Sequence, residues 1–173
     1  MQKIFLIGYM GAGKTTVGKS LAQALNLQFI DLDTFIENRY HKRIGEIFAE
    51  RGEDGFRELE RKALHEVAQF EDVIISTGGG TPCFFDNMQV MNELGRTIYL
   101  KLPVEQLAAR LVKSNHKEKR PLLQDKTDEG IKQFVADNLA VREPFYNQSS
   151  LIFEAGHLEI ADKLELLVKE INK

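Results

Sequence analysis

The segment Gly8-Tyr9-Met10-Gly11-Ala12-Gly13-Lys14-Thr15 fits the spacing G-x-x-x-x-G-K-[ST]. Each residue type in that pattern serves one piece of chemistry. Glycines let a loop wrap closely and turn its backbone N–H groups inward, where they can hold phosphate oxygens. A helix that follows adds its positive end. Lys14 is placed to reach the β- and γ-phosphates, and the Thr15 hydroxyl to ligate Mg²⁺. Thr16 can donate near the α-phosphate. The apolar run Ile4 to Ile7 before the loop, and helical spacing of Val17, Leu21, Ala22 and Leu25 after it, supply the expected context. The segment implies a seat for a nucleoside triphosphate. No Asn-Lys-x-Asp base reader occurs, which favours ATP or a loosely read purine.

Other residues could form an acceptor side. Asp31-Leu32-Asp33 falls where a second strand ends. If the segment is extended, residues i and i+2 face one pocket. One acid could then hold Mg²⁺ through water while the other accepts a proton from an attacking hydroxyl. Helix capping is the plainer use of such an aspartate, but Thr34-Phe35-Ile36-Glu37 is itself a capping box that would relieve Asp33 of that duty. Arg57, one turn from Glu60, and Arg142, just before Pro144, read singly as solvated surface charges. If they converge, paired guanidinium groups would grip a carboxylate in a fixed orientation. Gly78-Gly79-Gly80, after the strand-like Val73-Ile74-Ile75, offers accessible N–H groups at a strand's carboxyl end. The basic stretch from Lys113 to Arg120 reads as a solvated loop or as a lid that brings Arg120 onto phosphates.

These residues must be positioned by elements of two periods. Strands are expected at 4–7, 27–30, 73–75, 97–100 and 151–153. Helices are expected at 15–25, 34–40, 44–51, 55–70, 86–94, 104–113 and 127–146, with a closing amphipathic helix on Ala161, Leu164, Val168 and Ile171. Alternating strands and helices imply an α/β fold with a parallel sheet covered on both faces. The chain has 173 residues, enough for one domain that can bury about 70% of its unfolded surface. A net charge of −3 argues against a broad nucleic-acid face. A single cysteine, Cys83, excludes an internal disulfide and a multi-thiolate zinc site. His65-Glu66 begins like a zincin motif, but Gln69 stands where the second histidine belongs. The N-terminal apolar run is too short for a signal peptide or membrane span. A cytoplasmic, monomeric protein with no nucleic-acid or membrane partner is expected.

Taken together, these features resemble shikimate kinase, nearly over the whole chain and in order. The resemblance rests on the phosphate loop, Asp31-Leu32-Asp33, Phe56-Arg57 with Glu60, Gly78 to Gly80, Arg120-Pro121-Leu122-Leu123 and Arg142-Glu143-Pro144-Phe145-Tyr146. It implies a P-loop NTPase of the nucleoside-monophosphate-kinase-like type, a five-stranded parallel sheet in order 2-3-1-4-5 with helices on both faces. It also implies a single kinase domain over residues 1–173, with a substrate-binding segment at about 33–60 and a lid at about 112–124. The implied reaction moves the ATP γ-phosphoryl group, with Mg²⁺, to the 3-hydroxyl of shikimate, on the route to aromatic amino acids. By position, Asp33 would bind shikimate and act as base, with Lys14 and Arg120 as its catalytic partners. Arg57 and Arg142 would clamp the carboxylate, and the Gly79 N–H would hold a ring hydroxyl. Gly11, Ala12, Gly13, Lys14, Thr15, Thr16 and Arg120 would hold ATP. Thr15 would ligate Mg²⁺, with Asp31 in its outer shell and Ser76 helping to order its waters. For adenine, Arg110, Lys113 and the stretch Ala155-Gly156-His157 all stay open. Another small-metabolite kinase of this fold, for gluconate or a nucleotide, is the alternative. A regulatory protein that binds ATP without an acceptor is a third reading.

Overall fold

The strands of the computed structural model follow from short apolar runs whose alternate residues serve two cores. In β1 (Lys3–Ile7) Phe5 and Ile7 enter one core, while Ile4 and Leu6 enter the other. The structure describes residues 1–113, 123, 125–154 and 156–173. The sheet contains β1, β2 (Gln28–Asp31), β3 (Val73–Ser76), β4 (Arg96–Leu100) and β5 (Leu151–Phe153) in the order β2-β3-β1-β4-β5, and all pairings are parallel. In register, Asp31 lies beside Ser76, and Ser76 beside Leu6. One line across the sheet therefore brings the ends of three strands to a common edge.

Helices cover both faces. On one side, α1 (Lys14–Leu25) and α7 (Ile160–Ile171) bury Val17, Leu21, Leu167 and Ile171 against the sheet. On the other, α2 (Leu32–Tyr40), α3 (Ile44–Val67), α5 (Val104–Lys113) and α6 (Asp128–Tyr146) supply Ile36, Leu64, Leu111 and Leu139. The short α4 (Asn87–Leu94) precedes β4. Gly18 lets α1 approach the sheet closely, since a Cβ there would stand 2.5 Å from the Phe29 ring. Thr127 caps α6 by accepting from the Gly130 N–H at 3.1 Å.

The break expected between the helices at 44–51 and 55–70 is present within α3, where Gly52, with φ 69° and ψ −177°, leaves the helical path and kinks the element. The helix expected at 127–146 is α6, and Pro144 lies inside its last turn. The triple glycine leads directly into a 3₁₀ turn, Thr81–Cys83, that the sequence pattern did not announce. Among the described residues, no helix is long and apolar enough to cross a membrane. Most of the expected lid, including Arg120, lies outside the described residues.

Candidate active site

The phosphate loop leaves β1 and enters α1 through backbone that only glycine adopts easily. Gly11 has φ 80° and Gly13, the residue preceding α1, has φ 88°. Lys14 folds back over the loop, its Nζ donating to the carbonyls of Gly8 at 2.7 Å and Tyr9 at 3.0 Å. The Arg110 guanidinium, from α5, donates to the Gly11 carbonyl at 3.2 Å. Of the basic residues left open for the nucleotide side, both Arg110 and Lys113 line the same cleft as the loop. Ala12 behaves differently: its side chain is in the core and its N–H donates to the Tyr9 carbonyl at 3.2 Å.

The two aspartates do not share an extended segment. Asp31 ends β2 and caps α2, its Oδ1 accepting from the Thr34 N–H at 3.0 Å. Thr34 is thus the capped residue and not the cap. Asp33 already lies in the first helical turn, which is favourable for a carboxylate. Both acids still line the cleft, because the strand-to-helix corner turns them toward the phosphate loop. The free Asp31 oxygen, Oδ2, accepts from the Thr15 hydroxyl at 3.2 Å. Asp33 is raised from 3.8 to about 6, chiefly by burial and then by the negative charges of Asp31 and Glu60, with Lys14 pulling the other way.

The acceptor end is built on α3, α6 and the glycine turn. Arg57 and Glu60 are not the exposed pair that their i,i+3 spacing suggests. Glu60 is 1% exposed and Arg57 8%, and the Arg57 Nη1 donates to Glu60 Oε1 at 2.9 Å. The guanidinium lies 4.1 Å from the centre of the Phe84 ring. Gly80 makes room for it: a Cβ there would fall 2.4 Å from the Arg57 Nη2. Gly79 does the same for the second arginine, with Nη1 of Arg142 only 3.2 Å from where its Cβ would stand. That point is also 3.5 Å from the Met10 nitrogen and 3.7 Å from the Gly8 carbonyl, so the glycine turn joins the arginine pair to the phosphate loop. Tyr146 donates from its hydroxyl to the Gly79 carbonyl and secures the turn from behind. Cys83 feels both positive charges, but burial dominates and pushes its thiol up to about 11.

Gly11, Gly13, Lys14, Thr15, Thr16, Asp31, Asp33, Ser76, Gly79, Arg57 and Arg142 therefore meet around one cleft of about 920 Å³. Sequence reasoning missed its apolar wall of Ile44, Phe48 and Phe56, in which the Phe48 and Phe56 rings lie tilted by 30° with their centres 4.5 Å apart. Residues eight apart share a face of a straight helix but lie about 12 Å from each other along it; the kink at Gly52 is what brings those rings together. Thr15 and Asp31 present a hydroxyl and a carboxylate, hard oxygen donors of the kind Mg²⁺ prefers. Among the described residues there is no cluster of three or more metal-ligating side chains, so the ion's remaining ligands would come from phosphates and water.

A parallel sheet in this order, with a glycine loop, lysine and threonine leading into α1, defines a P-loop protein of the nucleoside-monophosphate-kinase-like fold. A deoxyadenosine kinase structure from M. mycoides with bound dATP shares that fold, with a TM-score of 0.64, 17% identity and full coverage of both chains. The chain belongs to the shikimate kinase family, whose model matches residues 10–172. It is 54% identical to a shikimate kinase of Phocaeicola vulgatus over the whole of both chains. It is 59% identical to one of Parabacteroides distasonis, across 90% of this chain and 88% of that one. The crystal structure of shikimate kinase from Bacteroides thetaiotaomicron superposes with a TM-score of 0.94, at 50% identity and 99% coverage of each chain. Shikimate kinase from Acinetobacter baumannii in complex with shikimate gives a TM-score of 0.88, at 34% identity, across 99% of this chain and 93% of that one.

Proposed function

We propose that this chain transfers the γ-phosphoryl group of ATP to the 3-hydroxyl of shikimate, giving shikimate 3-phosphate and ADP for aromatic amino-acid biosynthesis. The observation that carries the reading is the placement of Arg57 and Arg142 behind two successive glycines, Gly80 and Gly79, the second of which abuts the phosphate loop. Two guanidinium groups at one end of a cleft suit a small acid that presents its carboxylate there. A triphosphate seat at the other end suits a donor. The hydroxyl to be phosphorylated then lies between them, beside Asp33.

In this reading the loop from Gly11 to Thr16 and Lys14 hold the phosphates, and Arg57 and Arg142 orient the acceptor through its carboxylate. The Gly79 N–H takes a ring hydroxyl. Asp33, raised to about 6, is largely ionised at neutral pH yet basic enough to accept the proton of the attacking hydroxyl. Direct in-line transfer follows, because phosphoryl transfer requires positioning and charge stabilisation more than covalent catalysis. Thr15 and Asp31, with Ser76 nearby, would hold Mg²⁺, which when bound neutralises charge on the β- and γ-phosphates. Arg120 would approach the phosphates from a lid at about 112–124, and the segment at about 33–60 would enclose the acceptor. The whole chain acts as a single, monomeric domain in the cytoplasm, on a small molecule and on neither nucleic acid nor membrane.

A coupled ADP-release assay with ATP and Mg²⁺ tests the reading, run with shikimate, gluconate, nucleoside monophosphates or no acceptor. Release that depends on shikimate is expected. Equal release without acceptor, or faster release with gluconate or a nucleotide, would overturn it.

A further inference from the structure

We propose that Thr81 is a positioning residue for the acceptor site, acting through Glu60 on Arg57; the inference rests on the shikimate reading and extends it. Thr81 is fully buried at the start of the 3₁₀ turn. Its hydroxyl donates to Glu60 Oε2 at 2.8 Å while Arg57 donates to Oε1 at 2.9 Å. A carboxylate held on one oxygen can rotate; one held on both has its plane fixed. Thr81 therefore decides where the oxygen facing Arg57 stands. The other contacts of Arg57 direct its N–H groups less: the Phe84 and Phe56 rings, centred 4.1 and 5.2 Å from the guanidinium, pack on it without accepting a directional bond, and the contact with Glu53 is 3.5 Å long and reaches a carboxylate that is 58% exposed.

The turn is built to keep that hydroxyl in place. The Thr81 N–H donates to the Gly78 carbonyl at 3.2 Å, and its own carbonyl accepts from the side-chain amide of the fully buried Asn87 at 2.9 Å. Gly78 lies where three oxygens meet. A Cβ there would be 3.0 Å from the Thr81 hydroxyl and 3.3 Å from both Asp33 Oδ1 and Glu60 Oε2. The hydroxyl thus holds Glu60 on a site that also borders the proposed base. Without it, the Glu60 carboxylate is free to turn away from Arg57 and from the Asp33 charge, and the guanidinium loses its orientation.

The test compares wild type, Thr81→Val, Thr81→Ser, Arg57→Ala and the Arg57→Ala/Thr81→Val double variant, reading KM for shikimate, KM for ATP and kcat. Thr81→Val should raise the shikimate KM about tenfold, the scale of one lost charge-assisted bond, with the ATP KM within about twofold of wild type. Thr81→Ser, which keeps the hydroxyl, should stay near wild type. In the Arg57→Ala background, Thr81→Val should add nothing. An unmoved shikimate KM, a parallel rise in the ATP KM, an equal loss in Thr81→Ser, or an additive loss in the double variant would each overturn the proposal. Thr81→Ala gives the same comparison if the valine variant does not fold. A wild-type chain without shikimate turnover would sink the acceptor assignment and this inference together, whereas normal wild-type turnover with unmoved variants would sink the inference alone.

Discussion

Asp33 is expected to weaken the fold that it serves. Its carboxyl is raised from 3.8 to about 6, mainly by burial, with Asp31 and Glu60 adding repulsion. A carboxyl whose folded pKa lies above its unfolded value stabilises the native state while protonated. That advantage is lost as pH rises from about 4 through about 6, where the unfolded chain releases its proton first. A difference of about two pH units corresponds to about 3 kcal/mol, reduced to about 2 kcal/mol by the partial exposure of the group. Asp33→Asn removes the ionisation but keeps the shape. The variant should be more stable than wild type by about 2 kcal/mol at pH 8, or about 4–8 °C in Tm for a chain of this length. About half of the gain should be present by pH 5 and all of it above pH 7. Its shikimate-dependent turnover should fall by at least about 10²-fold, the scale of a lost general base. Thermal melts of both proteins from pH 5 to 8, paired with ADP-release rates, read both effects. A stability difference that stays flat with pH, or a variant less stable than wild type at pH 8, would refute the electrostatic argument. Retained turnover would refute the role as base.

Two further outcomes follow from the same geometry. Gly80→Ala places a methyl 2.4 Å from the Arg57 Nη2; the guanidinium must move, so the shikimate KM should rise about 10–100-fold with the ATP KM unchanged, and steady-state kinetics with each substrate varied in turn would show it. Thr15→Val removes the hydroxyl that donates to Asp31 at 3.2 Å; the Mg²⁺ concentration giving half-maximal rate should rise about tenfold or more, and an unchanged Mg²⁺ titration would remove Thr15 from the metal site.

Much of the site was legible because its residues sit at strand ends, where apolar runs stop and chemistry begins. Ile4 to Ile7 and Val73 to Ile75 mark β1 and β3, and the parallel register then sets Ser76 beside both Asp31 and Leu6. Geometry that depends on tertiary packing was not legible. The sequence alone suggests an extended pair for Asp31 and Asp33, yet the first caps α2 and the second belongs to it; both uses give the same residues, and only the corner between strand and helix distinguishes them. The Arg57–Glu60 spacing looks the same in sequence whether the pair is solvated or buried. Its burial comes from the Gly52 bend and from the Phe84 ring, which lies 27 residues further along. Thr81 carried no signal at all, since its importance lies in a hydrogen bond to a side chain 21 residues earlier. The local excess of basic charge suggests a lid role for Arg120, which lies outside the described residues.

The most direct test of the central claim, that two arginines fix a carboxylate opposite the phosphate loop, is to compare shikimate with its methyl ester as acceptor under otherwise identical conditions. The ester keeps the ring and every hydroxyl but removes the charge that Arg57 and Arg142 would hold. Loss of two charge-assisted interactions predicts that kcat/KM for the ester falls by about 10²–10⁴-fold. An ester phosphorylated as efficiently as the free acid would contradict the account.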